Sequence, residues 1–261
     1  MKIYVFVDME GCSGISGSEF VEQDGRLYQE GRRYYTWDIN ACVRGCFNAG
    51  AEDVLVRDGH ASGSNILWEE LDGRAEVVRG DGSPRRMPGL EECDALILLG
   101  YHARAGTPGA LLDHTYSSRC IQNMWLNGRL VGEIGIDAGI ASDLGLPAIM
   151  VSGDDKACGE AREWVPQIVA CPVKVGIACQ GARLLPMKEA HRLIEQKAAE
   201  AVARMGSIPP MEVSRPVTIR KEVVQRGRLP NSLGRPEIRI LDGRTCEATA
   251  DTVEQAFFRV M

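Results

Sequence analysis

Met1-Lys2-Ile3-Tyr4-Val5-Phe6-Val7-Asp8-Met9-Glu10-Gly11 decides the fold. From Ile3 to Val7 the run is apolar, barely alternates, and is rich in β-branched and aromatic residues. That is the pattern of a strand buried on both faces, and such strands belong to parallel sheets covered by helices. The run turns acidic at Asp8, too soon for the apolar stretch of a secretory leader. It reads as the first central strand of a cytoplasmic protein.

Outward from this strand the pattern repeats. A glycine-rich loop runs from Gly11 to Gly17, then a helical pattern over about 34–49 closes at Asn48-Ala49-Gly50. Strands follow at Asp53–Arg57, Ala75–Arg79, Ala95–Leu99 and Ala148–Val151. Asn127-Gly128 between Ile121–Leu126 and Arg129–Val131 predicts a two-residue hairpin. A helix follows it to about Leu144. Asp154-Asp155 reads as the cap and first turn of another helix. Lys188–Met205 is a charged amphipathic helix broken at Pro209-Pro210, and two or three strands and a closing helix complete the chain. Alternating strands and helices predict an α/β fold with a mostly parallel or mixed sheet flanked by helices, and a smaller C-terminal α+β part. The division is expected near residue 175, into a metal-binding core of residues 1–175 and a subdomain of residues 176–261.

A formal net charge of −6 argues against nucleic acid as a partner, because phosphate neutralisation needs a basic face. No apolar run approaches the roughly 18–20 residues that span a bilayer, so no membrane is expected either. There are nine cysteines but no Cys-x-x-Cys pair, which removes zinc ribbons and thioredoxin-like motifs. Cys42 and Cys46 share a helix face and read as small core fillers in a reducing compartment. The short clusters Arg32-Arg33 and Arg85-Arg86, and His191 on its charged helix, read as solvated surface.

The chemistry gathers elsewhere. Of four histidines, His60, His102 and His114 fall close together in the chain. His60 follows the strand Asp53–Arg57, His102 follows Ala95–Leu99, and Asp8 and Glu10 end the first strand. Parallel strands deliver their carboxyl ends to one sheet edge, where ligand sites form. Residues i and i+2 of an extended segment point to one side, so Asp8 and Glu10 can face a common cation. Two carboxylates that close repel unless something positive lies between them. Adding Glu133 gives three carboxylates and two imidazoles, enough for a two-metal site that suits zinc or, less specifically, manganese or cobalt. The Gly11–Gly17 loop lacks the Gly-Lys-Ser/Thr ending of a phosphate loop and reads as a wall of this pocket. No Gly-x-Ser-x-Gly elbow or His-Glu-x-x-His helix occurs.

Val7-Asp8-Met9-Glu10-Gly11, Asp58-Gly59-His60, Gly100-Tyr101-His102-Ala103-Arg104-Ala105, His114, Gly132-Glu133-Ile134-Gly135 and Gly153-Asp154-Asp155 resemble, in order and spacing, the binuclear-zinc D-aminopeptidases of the dipeptide-transport-operon type. The resemblance covers roughly residues 1–160. It implies that Asp8 bridges two zinc ions, with Glu10 and His60 on one and His102 and Glu133 on the other. It also implies that His114 is catalytic without binding metal. Short peptides, often with D-residues, would be the substrate, and the subunits would form a ring-like homo-decamer. Two departures bear on substrate: Asp113-His114-Thr115 replaces the family's serine beside the histidine, and Asp137 stands where asparagine is common. The expected chemistry is amide hydrolysis by metal-activated water. Alternatives are another two-metal hydrolase, an amidase or phosphoesterase, or a non-catalytic peptide-binding oligomer of the same fold.

Overall fold

The computed structural model describes residues 1–261. Twelve strands and five α-helices form two sheets. The strands are β1 (Lys2–Val7), β2 (Asp53–Asp58), β3 (Glu76–Val78), β4 (Ala95–Tyr101), β5 (Ile121–Leu126), β6 (Arg129–Val131), β7 (Ala148–Asp154), β8 (Val169–Ala178), β9 (Gly181–Leu184), β10 (Val217–Val223), β11 (Ile238–Ile240) and β12 (Thr245–Ala250). The helices are α1 (Tyr28–Asn48), α2 (Glu133–Asp143), α3 (Asp155–Trp164), α4 (Met187–Arg204) and α5 (Val253–Val260).

The larger sheet has the order β3-β2-β1-β4-β7-β8-β9, parallel throughout except for the edge strand β9. Every residue of β4 and β7 is buried, as continuous apolar runs such as Ala95–Leu99 require. From β1 the chain builds outward in one direction to β2 and β3, and in the other to β4, β7 and β8. Helices α1 and α4 pack together against this sheet, and α2 and α3 pack on each other and on β7. The reversal of strand order lies between β1 and β4, where a crevice opens at the carboxyl ends.

The second sheet, β11-β12-β10-β5-β6, is antiparallel and carries α5 against β10 and β12. The α/β class expected from the sequence is therefore present, with the hairpin at Asn127-Gly128 joining β5 to β6. The expected division at residue 175 falls inside β8, and the second sheet takes β5 and β6 from before that point. Helix α1 begins at Tyr28, earlier than residue 34, and β8 and β9 had no counterpart in the sequence reading.

Candidate metal centre

Two glycines let the crevice close. Gly100 has φ +71°, and a Cβ there would stand 2.2 Å from the Asp8 carbonyl oxygen. A Cβ on Gly11 would stand 2.0 Å from the Tyr101 carbonyl oxygen. Glycine at both positions lets the loop after β1 lie directly on the end of β4, with the Gly11 amide donating to the Gly100 carbonyl at 2.8 Å.

The sheet order then places the ligands. Asp8 leaves β1, the middle strand of three, with His60 after β2 on one side and His102 after β4 on the other. Its Oδ1 is 3.2 Å from His60 Nδ1 and its Oδ2 is 3.2 Å from His102 Nε2. His60 Nδ1 is also 3.2 Å from Glu10 Oε2, and His102 Nε2 is 3.2 Å from Glu133 Oε1. Glu133 is the first residue of α2, where the helix dipole favours a carboxylate, and the Tyr116 amide donates to its Oε1 at 2.8 Å. His114 brings Nε2 to 3.8 Å from the same oxygen, on a loop whose Leu112 and Tyr116 have φ of 50° and 58°. Such left-handed backbone costs free energy in a non-glycine residue and recurs where a site demands it. All six residues singled out from the sequence thus meet at one sheet edge.

The tautomers are fixed by backbone. A carbonyl oxygen only accepts, so His60 Nε2 donates to Val21, His102 Nδ1 to Ala103 and His114 Nδ1 to Leu112, at 3.0, 3.0 and 2.8 Å. In each neutral ring the other nitrogen is left with a lone pair aimed toward carboxylates, which a cation between them would satisfy. Glu10 Oε2 and His102 Nε2 are buried and aligned with no hydrogen-bond partner. Ligand atoms about 2.0–2.2 Å from zinc in a tetrahedron stand roughly 3.3–3.6 Å apart, close to the spacings here. The donor set therefore fits two divalent cations: Asp8, Glu10 and His60 form one group of converging atoms, and His102 and Glu133, with His114 beside them, form the other.

Without a cation these buried groups shift one another's titration. Burial alone would push the Asp8 carboxyl up, but the His102 and His60 rings that face it hold it well below the usual carboxylate range. Burial opposes charging of the His60 and His102 rings, yet the facing carboxylates raise both well above the ordinary imidazole value. Glu133 is likewise lowered, against burial, by His102.

Beside this centre opens a cavity of about 490 Å³, bounded by Glu10, His60 and His114 at its inner wall and by Glu22, Asp24 and Arg119 further out. It is large enough for a short peptide end and reaches the metal-facing groups.

The whole chain, residues 1–261, matches the M55 peptidase family, described as D-aminopeptidase. The chain belongs to that family. A D-aminopeptidase of Bacillus subtilis (strain 168) is 37% identical over 213 residues, which cover 81% of this chain and 77% of that protein. The solved structure of the Zn-dependent D-aminopeptidase DppA from Bacillus subtilis, titled a self-compartmentalizing protease, matches with a TM-score of 0.93 at 32% identity. That match covers 99% of this chain and 94% of the other.

Several residues of this M55 chain support the site through contacts the sequence did not indicate. Asp58, fully buried, accepts from Tyr35 Oη, from the Asn65 amide and side chain, and from the Ile66 amide. Asn65 in turn donates to the His60 carbonyl at 2.7 Å, so Asp58 shapes the loop that presents His60. Asp154 caps α3 as expected, and its Oδ2 also accepts from the Leu111 amide, tying down the His114 loop. Lys174 of β8 is buried and donates to the carbonyls of Glu10 and Ile15 at 2.8 and 2.9 Å, fixing the loop after β1. Arg86, expected on a solvated surface, is instead packed beneath Glu133 with its guanidinium on Asp137. His191, also expected there, is partly buried with Nε2 3.4 Å from Asp38 Oδ1.

Proposed function

We propose that this chain is a zinc-dependent aminopeptidase that removes the N-terminal residue, D-residues included, from short peptides. The observation that carries the reading is the Asp8 carboxylate, which offers one oxygen to the His60 side and the other to the His102 side at equal 3.2 Å distances. With membership of a D-aminopeptidase family, that geometry favours a peptidase over a phosphoesterase, a non-peptide amidase or a non-catalytic peptide binder.

In this reading Asp8 is shared, Glu10 and His60 complete one cation site, and His102 and Glu133 complete the other. Two zinc ions held there would polarise the scissile carbonyl and bring the pKa of a water to near 7. The remaining work belongs to the chain. The cavity receives the peptide's N-terminal end, with Glu22 and Asp24 in its wall as carboxylates that neither cation site uses. His114, with Nδ1 committed to the Leu112 carbonyl, has Nε2 free to carry a proton to the departing amine. The buried wall behind Glu133 and His102 keeps bulk water from competing for these groups.

We further propose that the subunits close into a homo-oligomer, by the family resemblance a decamer. Ile177, Leu184 and Leu185, on and beside the edge hairpin β8–β9, expose apolar surface that a neighbouring subunit would cover. The nine free thiols suit a reducing compartment, and the cytoplasm is the location proposed.

The test is turnover of D- and L-aminoacyl p-nitroanilides and short peptides, before and after chelation with zinc added back. Activity lost on chelation and restored by zinc, greater on D-substrates, is the expected result. No turnover by protein carrying two zinc ions would sink the peptidase reading.

A further inference from the structure

Arg86 lies on the connection between β3 and β4 and turns inward toward α2. Its Nε is 3.0 Å from Asp137 Oδ1 and its Nη2 is 3.1 Å from Asp137 Oδ2, a two-pronged pair. The same Nη2 reaches Glu133 Oε2 at 3.5 Å. The guanidinium lies over the rings of Phe6 and Tyr116, with its carbon 4.6 and 4.9 Å from their centroids. Asp137 follows Glu133 by one helical turn, so both carboxylates share a helix face, and Tyr101 Oη donates to Asp137 Oδ2 at 2.7 Å.

The loop is itself held from far along the chain. The Arg86 amide donates to Glu254 Oε1 at 2.8 Å, and Arg85 Nε donates to Glu254 Oε2 at 2.9 Å. Glu254 stands in the first turn of α5.

The two oxygens of Glu133 therefore have different company. Oε1 meets His102, His114 and the Tyr116 amide, whereas Oε2 meets Arg86. A carboxylate with one oxygen against a guanidinium has one oxygen left for a cation. We propose that Arg86 is a positioning residue that keeps Glu133 a one-oxygen ligand through Oε1, and that Glu254 of α5 sets Arg86 for this task. Asp137 engages two of the guanidinium's donors and neutralises it, so Glu133 is steadied without being drawn off the cation. The inference rests on the metal reading above and adds a function for the C-terminal helix.

The experiment titrates zinc into chelated full-length protein against a competing chelator, for the parent, Arg86→Lys and Glu254→Gln. Lysine keeps the charge but lacks the planar fork that pairs with both Asp137 oxygens while reaching Glu133. The affinity for one of the two zinc ions should fall about 10–100-fold in Arg86→Lys, the usual scale for groups that orient a ligand, and the other zinc should stay near parental. Glu254→Gln should weaken the same zinc by a smaller factor. Cobalt-loaded protein should show an altered ligand-field spectrum in both variants. Parental affinities and an unchanged cobalt spectrum, with only a lower Tm, would make Arg86 a purely structural ion pair and overturn the proposal. Should Arg86→Lys fail to fold, Glu254→Gln decides by the same readings. A parent that binds no zinc would overturn the metal reading and this inference together.

Discussion

The imidazole of His114 lies flat on that of His102, with ring centroids 3.9 Å apart and planes 10° from parallel. An imidazole lone pair lies in its own ring plane. The lone pairs of two stacked rings run side by side rather than toward one point, so His102 would hold a cation with Glu133 while His114 would be left to move a proton. His114→Ala should leave zinc content unchanged and lower kcat about 10²–10⁴-fold, the range of a lost general acid or base. Metal analysis beside steady-state kinetics checks it. A variant short of one zinc ion would make His114 a ligand after all.

Asp8 and Glu10 stand two residues apart yet should differ in reach. Asp8 faces both histidines, whereas Glu10 faces only His60. Glu10→Ala should cost one zinc ion per chain, and Asp8→Ala both, by mass spectrometry under native conditions. Equal losses from the two variants would remove Asp8 from its shared position.

The raised rings of His60 and His102 give the metal-free protein a pH signature. A folded value above the ordinary 6.5 means that the charged rings contribute stability fully below 6.5 and lose it as pH rises through the folded value. The depressed Asp8 contributes above its ordinary 3.8 and is lost as pH falls through its folded value. Zinc binding runs the other way, because it requires unprotonated rings and strengthens as pH rises. The Tm gap between zinc-loaded and chelated protein should widen from about pH 6 to about pH 9. Thermal scans in matched buffers measure the gap, and a constant or shrinking one would contradict protonated rings in the metal-free site.

Asp58 offers a stability test away from the metals. Asp58→Ala strands the Tyr35 hydroxyl and the Asn65 and Ile66 amides in a buried setting. The expected loss is about 3–5 kcal/mol, given 1–3 for each buried group left unpaired and partial relaxation. In a chain of this length that is a Tm drop of roughly 10 °C. The loop bearing His60 should loosen as well, weakening the zinc it faces. A Tm unchanged with zinc in excess would show that water replaces the carboxylate without cost.

Central strands and the polar residues that gather at their ends were legible in the sequence for a common physical reason. A strand buried on both faces must be continuously apolar, and the polar residues that end it, Asp8 after Val7 or His102 after Tyr101, stand out as charge at a fixed edge. The first turns of α1 were not legible. Leu27 supplies no side-chain cap, and Gly31, pressed to 2.1 Å of the Phe20 carbonyl were it to bear a Cβ, weakens the helical pattern. Strand β8 hid behind Pro172 and the buried Lys174, whose polarity only the Glu10 and Ile15 carbonyls explain. Arg86 could not be told from a surface arginine, because its partner Asp137 lies 51 positions away and Phe6 and Tyr116 come from other parts of the fold.

The Glu254 contact to the Arg86 amide spans 168 residues. At the roughly 5–20 residues per second of synthesis, Glu254 is made some 10–30 s after Arg86. Asp8, Glu10 and His60 are made before Arg86, and His102 and Glu133 within that interval, while Arg85 and the Arg86 amide still lack Glu254. A nascent chain thus carries every candidate ligand well before Glu254, and the contacts that hold the Arg86 loop to α5 can form only once α5 has been made.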